Sequence, residues 1–254
     1  MNRHIRIPAW FYRLLVQATD AARDLLPLIS VEKEKSNIAK LEKKCRTISD
    51  YFDLITQSVR TPILNSSLSP SQRKYEILTL LQDASPHGLS SVAEIGTSLG
   101  GTFYLFCKAA KANATIITID LKIPLWRRKL IKSYAKLGQT PIIIRGDSHA
   151  RDTVRLVEQA LGKNKLDLLF IDGDHSYEGI QQDFLDYAPF VKSGGWIAFH
   201  DVVPDYWTRY KIHTTAWTGG VPRFWAEVKH TYKHFEIIED PNQDGCGIGV
   251  LVWE

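Results

Sequence analysis

Ser91-Val-Ala-Glu-Ile-Gly-Thr-Ser-Leu-Gly-Gly-Thr102 decides the fold. A short apolar run breaks into a glycine-bearing turn, and a helical pattern from Phe103 to Lys111 follows at once. Strand, turn and helix N-terminus in that order make a phosphate- or nucleotide-type loop. Ser98 stands where a strict G-x-G-x-x-G would carry its second glycine, so the stretch taken alone also reads as an ordinary strand-to-helix turn. Gly96 lets the chain leave the strand sharply, and Gly100 and Gly101 let backbone come close to a ligand.

Working outward, Thr115-Ile-Ile-Thr-Ile-Asp120 is a second buried strand, its terminal acid 19 residues beyond Gly101. An acid at that spacing is placed to accept hydrogen bonds from ribose hydroxyls. A third strand, Pro141 to Arg145, runs into Gly146-Asp147-Ser148; Leu166 to Asp172 and Gly195 to Asp201 repeat the design. Helical patterns at Leu125–Leu137, Arg151–Leu161 and Tyr177–Val191 separate them. The alternation predicts a parallel sheet covered on both faces, with ligands bound outside the carboxyl ends of the strands. The polar strand tips then share one crevice. After a further helix, Arg223–Lys233, two strands, Phe235–Glu239 and Gly247–Trp253, are joined by a turn-rich link too short for a parallel crossover. The chain therefore ends in an antiparallel hairpin, where a nicotinamide-binding domain would add a helix.

With these motifs in place the chain resembles a class I S-adenosylmethionine-dependent methyltransferase. The resemblance covers about residues 70 to 254 and rests on Glu94-Ile-Gly-Thr-Ser-Leu-Gly-Gly101, Thr118-Ile-Asp120, Gly146-Asp-Ser148, Phe170-Ile-Asp-Gly-Asp-His-Ser-Tyr-Glu-Gly179 and Phe199-His-Asp201. The fourth motif is similar to the branch of sugar and antibiotic O-methyltransferases and cephalosporin-hydroxylase-like proteins. It implies an α/β, doubly wound, Rossmann-like seven-stranded sheet with its last strand antiparallel, preceded by an N-terminal helical extension over residues 1–69. It further implies S-adenosylmethionine held by Glu94, Gly96, Thr97, Gly100 and Gly101 at the methionine end, Asp120 at the ribose, and Asp147 and Ser148 at the adenine. Asp172, His200 and Asp201 are the implied ligands of a divalent metal. Magnesium is the first expectation; His200, where relatives often have a carboxylate, leaves manganese or iron open. Adjacent strand residues point to opposite faces, so His200 and Asp201 can share an ion only if the chain turns there. His175, three residues past Asp172, is the expected general base, and Asp174 a helix N-cap.

Composition sets the limits of function. The 254 residues are 44% hydrophobic and 24% charged, enough to bury one large core. Cys45, Cys107 and Cys246 are odd in number and widely spaced, which argues for a reducing, cytoplasmic setting and against a disulfide framework or zinc cluster. No apolar run reaches the ~18 residues of a membrane span, and charges interrupt the opening apolar stretches, which argues against a cleaved signal peptide. The net charge of +4 lies entirely in residues 1–60, and the rest of the chain carries 21 basic and 21 acidic residues. No basic stripe marks a nucleic-acid partner. The run from Lys33 to Arg46, laced with glutamates, reads as a solvated helix face, with contact to an anionic membrane surface, aided by Trp10, Phe11 and Tyr12, as the rival. Leu64 to Ser71 is the expected linker.

His149 reads as a helix flank, His230 and His234 as surface residues, and Cys107 as core. The aromatic group Tyr206, Trp207, Tyr210, Trp217, Phe224 and Trp225 is different, because Val202–Val221 is a long insertion directly after a strand tip. It is expected to be a substrate lid, or alternatively an oligomer surface. The expected function is metal-assisted O-methylation of a small hydroxylated molecule such as a sugar or glycosylated natural product. A nicotinamide-dependent oxidoreductase and a non-catalytic cofactor-binding scaffold are the alternatives. The terminal hairpin and the lack of a tyrosine–lysine pair weigh against the first, and the ionisable strand tips against the second.

Overall fold

The computed structural model describes residues 28–58, 72–123 and 125–254. The expected linker and the aromatic N-terminal segment lie outside the described residues. So does the expected boundary at residues 69 and 70.

Seven strands form one sheet: β1 Ser91–Ile95, β2 Thr115–Asp120, β3 Thr140–Arg145, β4 Leu166–Ile171, β5 Val191–His200, β6 Lys233–Ile237 and β7 Ile248–Val252. Their order is β3-β2-β1-β4-β5-β7-β6. The first five are mutually parallel, and β7 runs antiparallel between β5 and β6. All residues of β1 are buried, as expected for the central strand of a sheet covered on both faces.

Alternate residues of each strand supply two cores. Val92, Ile116, Leu168, Phe170 and Ala198 face one side, where α3 (Lys74–Ala84) and α4 (Gly101–Ala109) pack. Ala93, Ile117, Leu169, Ile197 and Phe199 face the other, against α6 (Arg151–Leu161), α7 (Tyr177–Tyr187) and α9 (Val221–Val228). The helices ahead of the sheet, α1 (Leu28–Glu42) and α2 (Ile48–Asp53), join the first core through Val31, Ile38, Cys45 and Phe52. Thr47 and Asp50 form a reciprocal capping box that starts α2. Lys33, Lys40, Lys43 and Lys44 are exposed, and the Lys108 ammonium reaches Glu42 at 2.7 Å.

Three helices differ in length from the sequence expectation. α5 (Leu125–Lys132) stops well short of Leu137, because Ser133 and Tyr134 already bond three residues back and Gln139 takes the Lys136 amide. α7 gives way to a 3₁₀ turn, Ala188–Phe190, at Pro189, and β5 starts earlier than expected, at Val191. α9 starts at Val221 with Pro222 in its first turn and ends at Val228.

Candidate active site

The strand tips enclose a cavity of about 580 Å³ at the carboxyl edge of the sheet. Its floor is the junction of β1 with its neighbours. The Gly96 amide donates to the Ile119 carbonyl at 2.9 Å, and the Asp172 amide to the Ile95 carbonyl at 2.8 Å. Gly96 has φ +93°, and a side chain there would overlap the Asp172 carbonyl. Gly100, at φ +89°, caps α4.

Asp120 binds the turn itself. One carboxylate oxygen accepts the amides of Thr97 (3.0 Å) and Ser98 (2.8 Å), and the other the amide of Lys122 (2.7 Å). Ser98 takes the left-handed conformation, φ +47°, that a glycine would adopt without strain. Two charge-assisted amide contacts offset that cost. Glu94 lies behind the wall rather than on it: 1% exposed, it accepts from the Thr118 hydroxyl, and burial pushes its carboxyl well above the usual range. The Thr97 side chain is also turned inward, onto the Thr118 hydroxyl at 2.5 Å.

At the β3 tip, Gly146, Asp147 and Ser148 line the cavity together with His149. His149 is more than the helix flank expected from the sequence. Its Nε2 lies 3.2 Å from both the Gly179 carbonyl and an oxygen of Asp183, a fully buried carboxylate that burial pushes up to about 6.

The tips of β4 and β5 bring Asp172, His175, His200 and Asp201 together. Asp201 has φ +64°, so the chain turns directly after β5 and both His200 and Asp201 reach the cluster. His200 Nδ1 lies 3.1 Å from Asp172 Oδ1 and 3.5 Å from Asp201 Oδ1. His175 Nε2 lies 3.5 Å from Asp172 Oδ1, and its Nδ1 lies 3.4 Å from Asp201 Oδ2 and 3.0 Å from the Trp217 carbonyl. A carbonyl only accepts, so in the neutral ring the hydrogen sits on Nδ1 and the lone pair on Nε2. Gln72 holds the other oxygen of Asp172 at 2.7 Å and accepts from Thr102 at 2.6 Å.

Burial would raise the Asp172 carboxyl, but the two imidazoles override it and hold it at about 2. Burial would lower both histidines; the Asp172 carboxylate instead raises His175, and raises His200 well above its usual value. Asp201 is raised, by burial first, with His200 pulling against it. The donor set suits a divalent cation: ionised, largely buried oxygens with imidazole nitrogen beside them. One donor atom each of Asp172, His175 and Asp201 lies within 4.8 Å of the others.

The insertion after β5 is anchored at its base and open at its tip. Asp205 accepts the amides of Thr208 (2.7 Å), which caps α8 (Tyr206–Tyr210), and of Thr218 (3.0 Å). Trp217 stacks on the His175 ring at 5.3 Å and is 66% exposed. Trp207, Tyr210 and Ile212 of the same insertion are also exposed.

Residues 93–202 match the family described as a methyltransferase domain. That match covers less than half of the chain. The fold of the chain, a seven-stranded Rossmann-like sheet with β7 antiparallel, is shared by two solved structures. The first is the O-methyltransferase TomG of Streptomyces achromogenes, involved in tomaymycin synthesis and solved with S-adenosylmethionine (TM-score 0.57, 17% identity, 88% of this chain and 98% of that one). The second is CalS11, a TDP-rhamnose 3'-O-methyltransferase of calicheamicin biosynthesis (TM-score 0.50, 14% identity, 81% and 92%). Among curated proteins, the uncharacterized protein R132 of Acanthamoeba polyphaga mimivirus is 31% identical over 118 residues, 45% of this chain. The chain spans 52% of that relative's length and 17% of a second relative's. Among the described residues no helix is long and apolar enough to cross a membrane.

The cavity gathers Gly96, Asp120, Asp147, Ser148, Asp172, His175, His200 and Asp201 from the residues singled out in the sequence. Glu94, Thr97, Gly100 and Gly101 shape the turn from behind. Sequence reasoning missed Gln72 and the His149–Asp183 pair. A signal for Asp183 existed: it sits among Ile180, Phe184 and Tyr187 on the buried face of α7, where an acid needs a partner.

Proposed function

We propose that the protein is an S-adenosylmethionine-dependent O-methyltransferase acting on a hydroxyl of a ring-bearing small molecule, such as a sugar or a glycosylated natural product. The observation that carries this reading is a single cavity lined both by Gly96 and Asp120 of the turn and by the Asp172–His175–Asp201 cluster. The O-methyltransferase structures of the same fold support it. S-adenosylmethionine supplies a methyl group on a sulfonium, an electrophile that needs a deprotonated oxygen. Gly96 and the amides of the turn approach the methionine end, Asp120 faces the ribose, and Asp147 and Ser148 face the adenine. His175 takes the acceptor's proton at Nε2, with the Trp217 carbonyl fixing its tautomer.

Asp172 and Asp201 would hold a magnesium-type cation through oxygen, which such ions accept from one or two carboxylates with water or substrate completing the shell. Bound there, the cation would lower the pKa of the acceptor hydroxyl. His200 supports Asp172 by donating from Nδ1. The exposed aromatics of residues 206–217 form the acceptor wall. Incubating the protein with trideuteromethyl-labelled S-adenosylmethionine and a panel of hydroxylated sugars and glycosides tests the reading. A labelled O-methyl ether formed by the wild type supports it; labelled product on nitrogen or carbon acceptors alone contradicts it.

A further inference from the structure

Beneath the carboxylate cluster lies a second set of donors that the methyl-transfer reading does not use. His200 is 3% exposed, and its Nδ1 is committed to Asp172. Its Nε2 is buried with no hydrogen-bond partner. An unpaired buried nitrogen of this kind is costly and calls for an explanation. Glu76 of α3 and Cys246 of the β6–β7 turn stand on that side. One donor atom from each of Glu76, His200 and Cys246 lies within 4.8 Å of the other two. The Cys246 thiol is near enough for the ring to feel it as an acceptor, yet it lies outside hydrogen-bond geometry.

Glu76 is fully buried and accepts from the Gly247 amide (2.9 Å), the Gln243 side chain (2.7 Å) and the Glu239 amide (3.3 Å). A carboxylate offers about four acceptor positions, so one lone pair stays free. Carboxylate, imidazole and thiol from three distant stretches of chain thus converge on one point, the first two buried and the thiol half-buried.

We propose that Glu76, His200 and Cys246 form a structural site for a borderline-soft divalent cation, zinc above all. Thiolate with imidazole selects zinc over magnesium or calcium, and three protein ligands leave a fourth position for water. On binding, the Cys246 thiol and His200 Nε2 each lose a proton to solvent and donate a lone pair to the metal, so glutamate and thiolate together balance the 2+ charge. The Asp172–His200 hydrogen bond becomes the carboxylate–histidine link that orients a metal-bound ring. The Cys246 amide meanwhile donates to Asp201 at 2.9 Å. The ion therefore braces both carboxylates of the site above it from α3, the β5 tip and the hairpin turn.

The test uses the full-length chain, stripped by a chelator and refilled with Co²⁺ alone. One equivalent of Co²⁺ should produce a thiolate-to-cobalt charge-transfer band in the near ultraviolet. Cys246→Ser should abolish it, and Cys45→Ser and Cys107→Ser should leave it intact. The doubly substituted Asp172→Asn/Asp201→Asn chain should keep the band, which separates this site from the oxygen-lined one. No band in the wild type, or a band that survives Cys246→Ser, overturns the proposal. Should Cys246→Ser not fold, zinc-edge X-ray absorption of the wild type decides. One sulfur with nitrogen and oxygen neighbours supports the site, and a shell without sulfur refutes it. Neither readout depends on S-adenosylmethionine, so failure here leaves the methyl-transfer reading to its own test.

Discussion

Asp120, the proposed ribose partner, already holds the amides of Thr97 and Ser98. Asp120→Ala should weaken S-adenosylhomocysteine binding by about 1.5–3 kcal/mol, the range for hydrogen bonds to a charged group. Titration calorimetry reads the loss; affinity within twofold of wild type would remove Asp120 from the cofactor site. His175→Ala should lower turnover by roughly 10²–10⁴-fold, the usual contribution of a positioned base, with cofactor affinity unchanged. The pH profile has a definite sign. Asp172 raises the His175 pKa, and a base works deprotonated, so the acid limb of kcat/KM should lie above the ordinary histidine range in metal-free protein. A divalent cation at Asp172 and Asp201 repels the imidazolium, so added Mg²⁺ should move that limb to lower pH. A limb at ordinary histidine pH, indifferent to metal, would show that the proton leaves elsewhere. Much of this scale was legible in the sequence, because strand tips announce themselves as apolar runs ending in acid, histidine or glycine. Gln72 was not legible: its bond to Asp172 spans 100 residues, and nothing local marks a glutamine as a partner.

At the scale of elements, the insertion after β5 works as a clasped loop. Asp205 caps α8 and ties Thr218 across the base. Asp205→Ala should cost about 1 kcal/mol through the lost cap and let Trp217 drift from His175. The acceptor KM should then rise several-fold while S-adenosylhomocysteine binding stays level; steady-state kinetics against calorimetry separates the two, and an unchanged KM would count against the acceptor wall. The insertion was visible in the sequence as aromatic-rich chain where the fold needs little loop. Its anchoring was not visible, since Asp205 and Thr218 meet only through tertiary folding. The same holds for α5, whose pattern runs on to Leu137 but whose helix yields to tertiary bonds of Gln139.

For the whole molecule, the antiparallel pairing of β6 and β7 follows from the short link between them, which is why it was readable before any contact was known. pH-dependent stability was not readable, because it depends on which acids the packing buries. Burial raises Asp183 from 3.8 to about 6. The folded state then binds that proton more tightly than the unfolded chain, so the contribution is full below the unfolded value and is lost as pH rises through about 6. Denaturant midpoints should reflect this loss between about pH 4 and 6, and Asp183→Asn should flatten it; an identical slope in the variant would assign the effect to other groups.

Titration calorimetry of the purified chain with S-adenosylhomocysteine, with NAD in parallel, tests the central claim most directly. The account predicts saturable one-site binding of S-adenosylhomocysteine, weakened by Asp120→Ala, and no heat from NAD. Saturable binding of NAD with none of S-adenosylhomocysteine would contradict it.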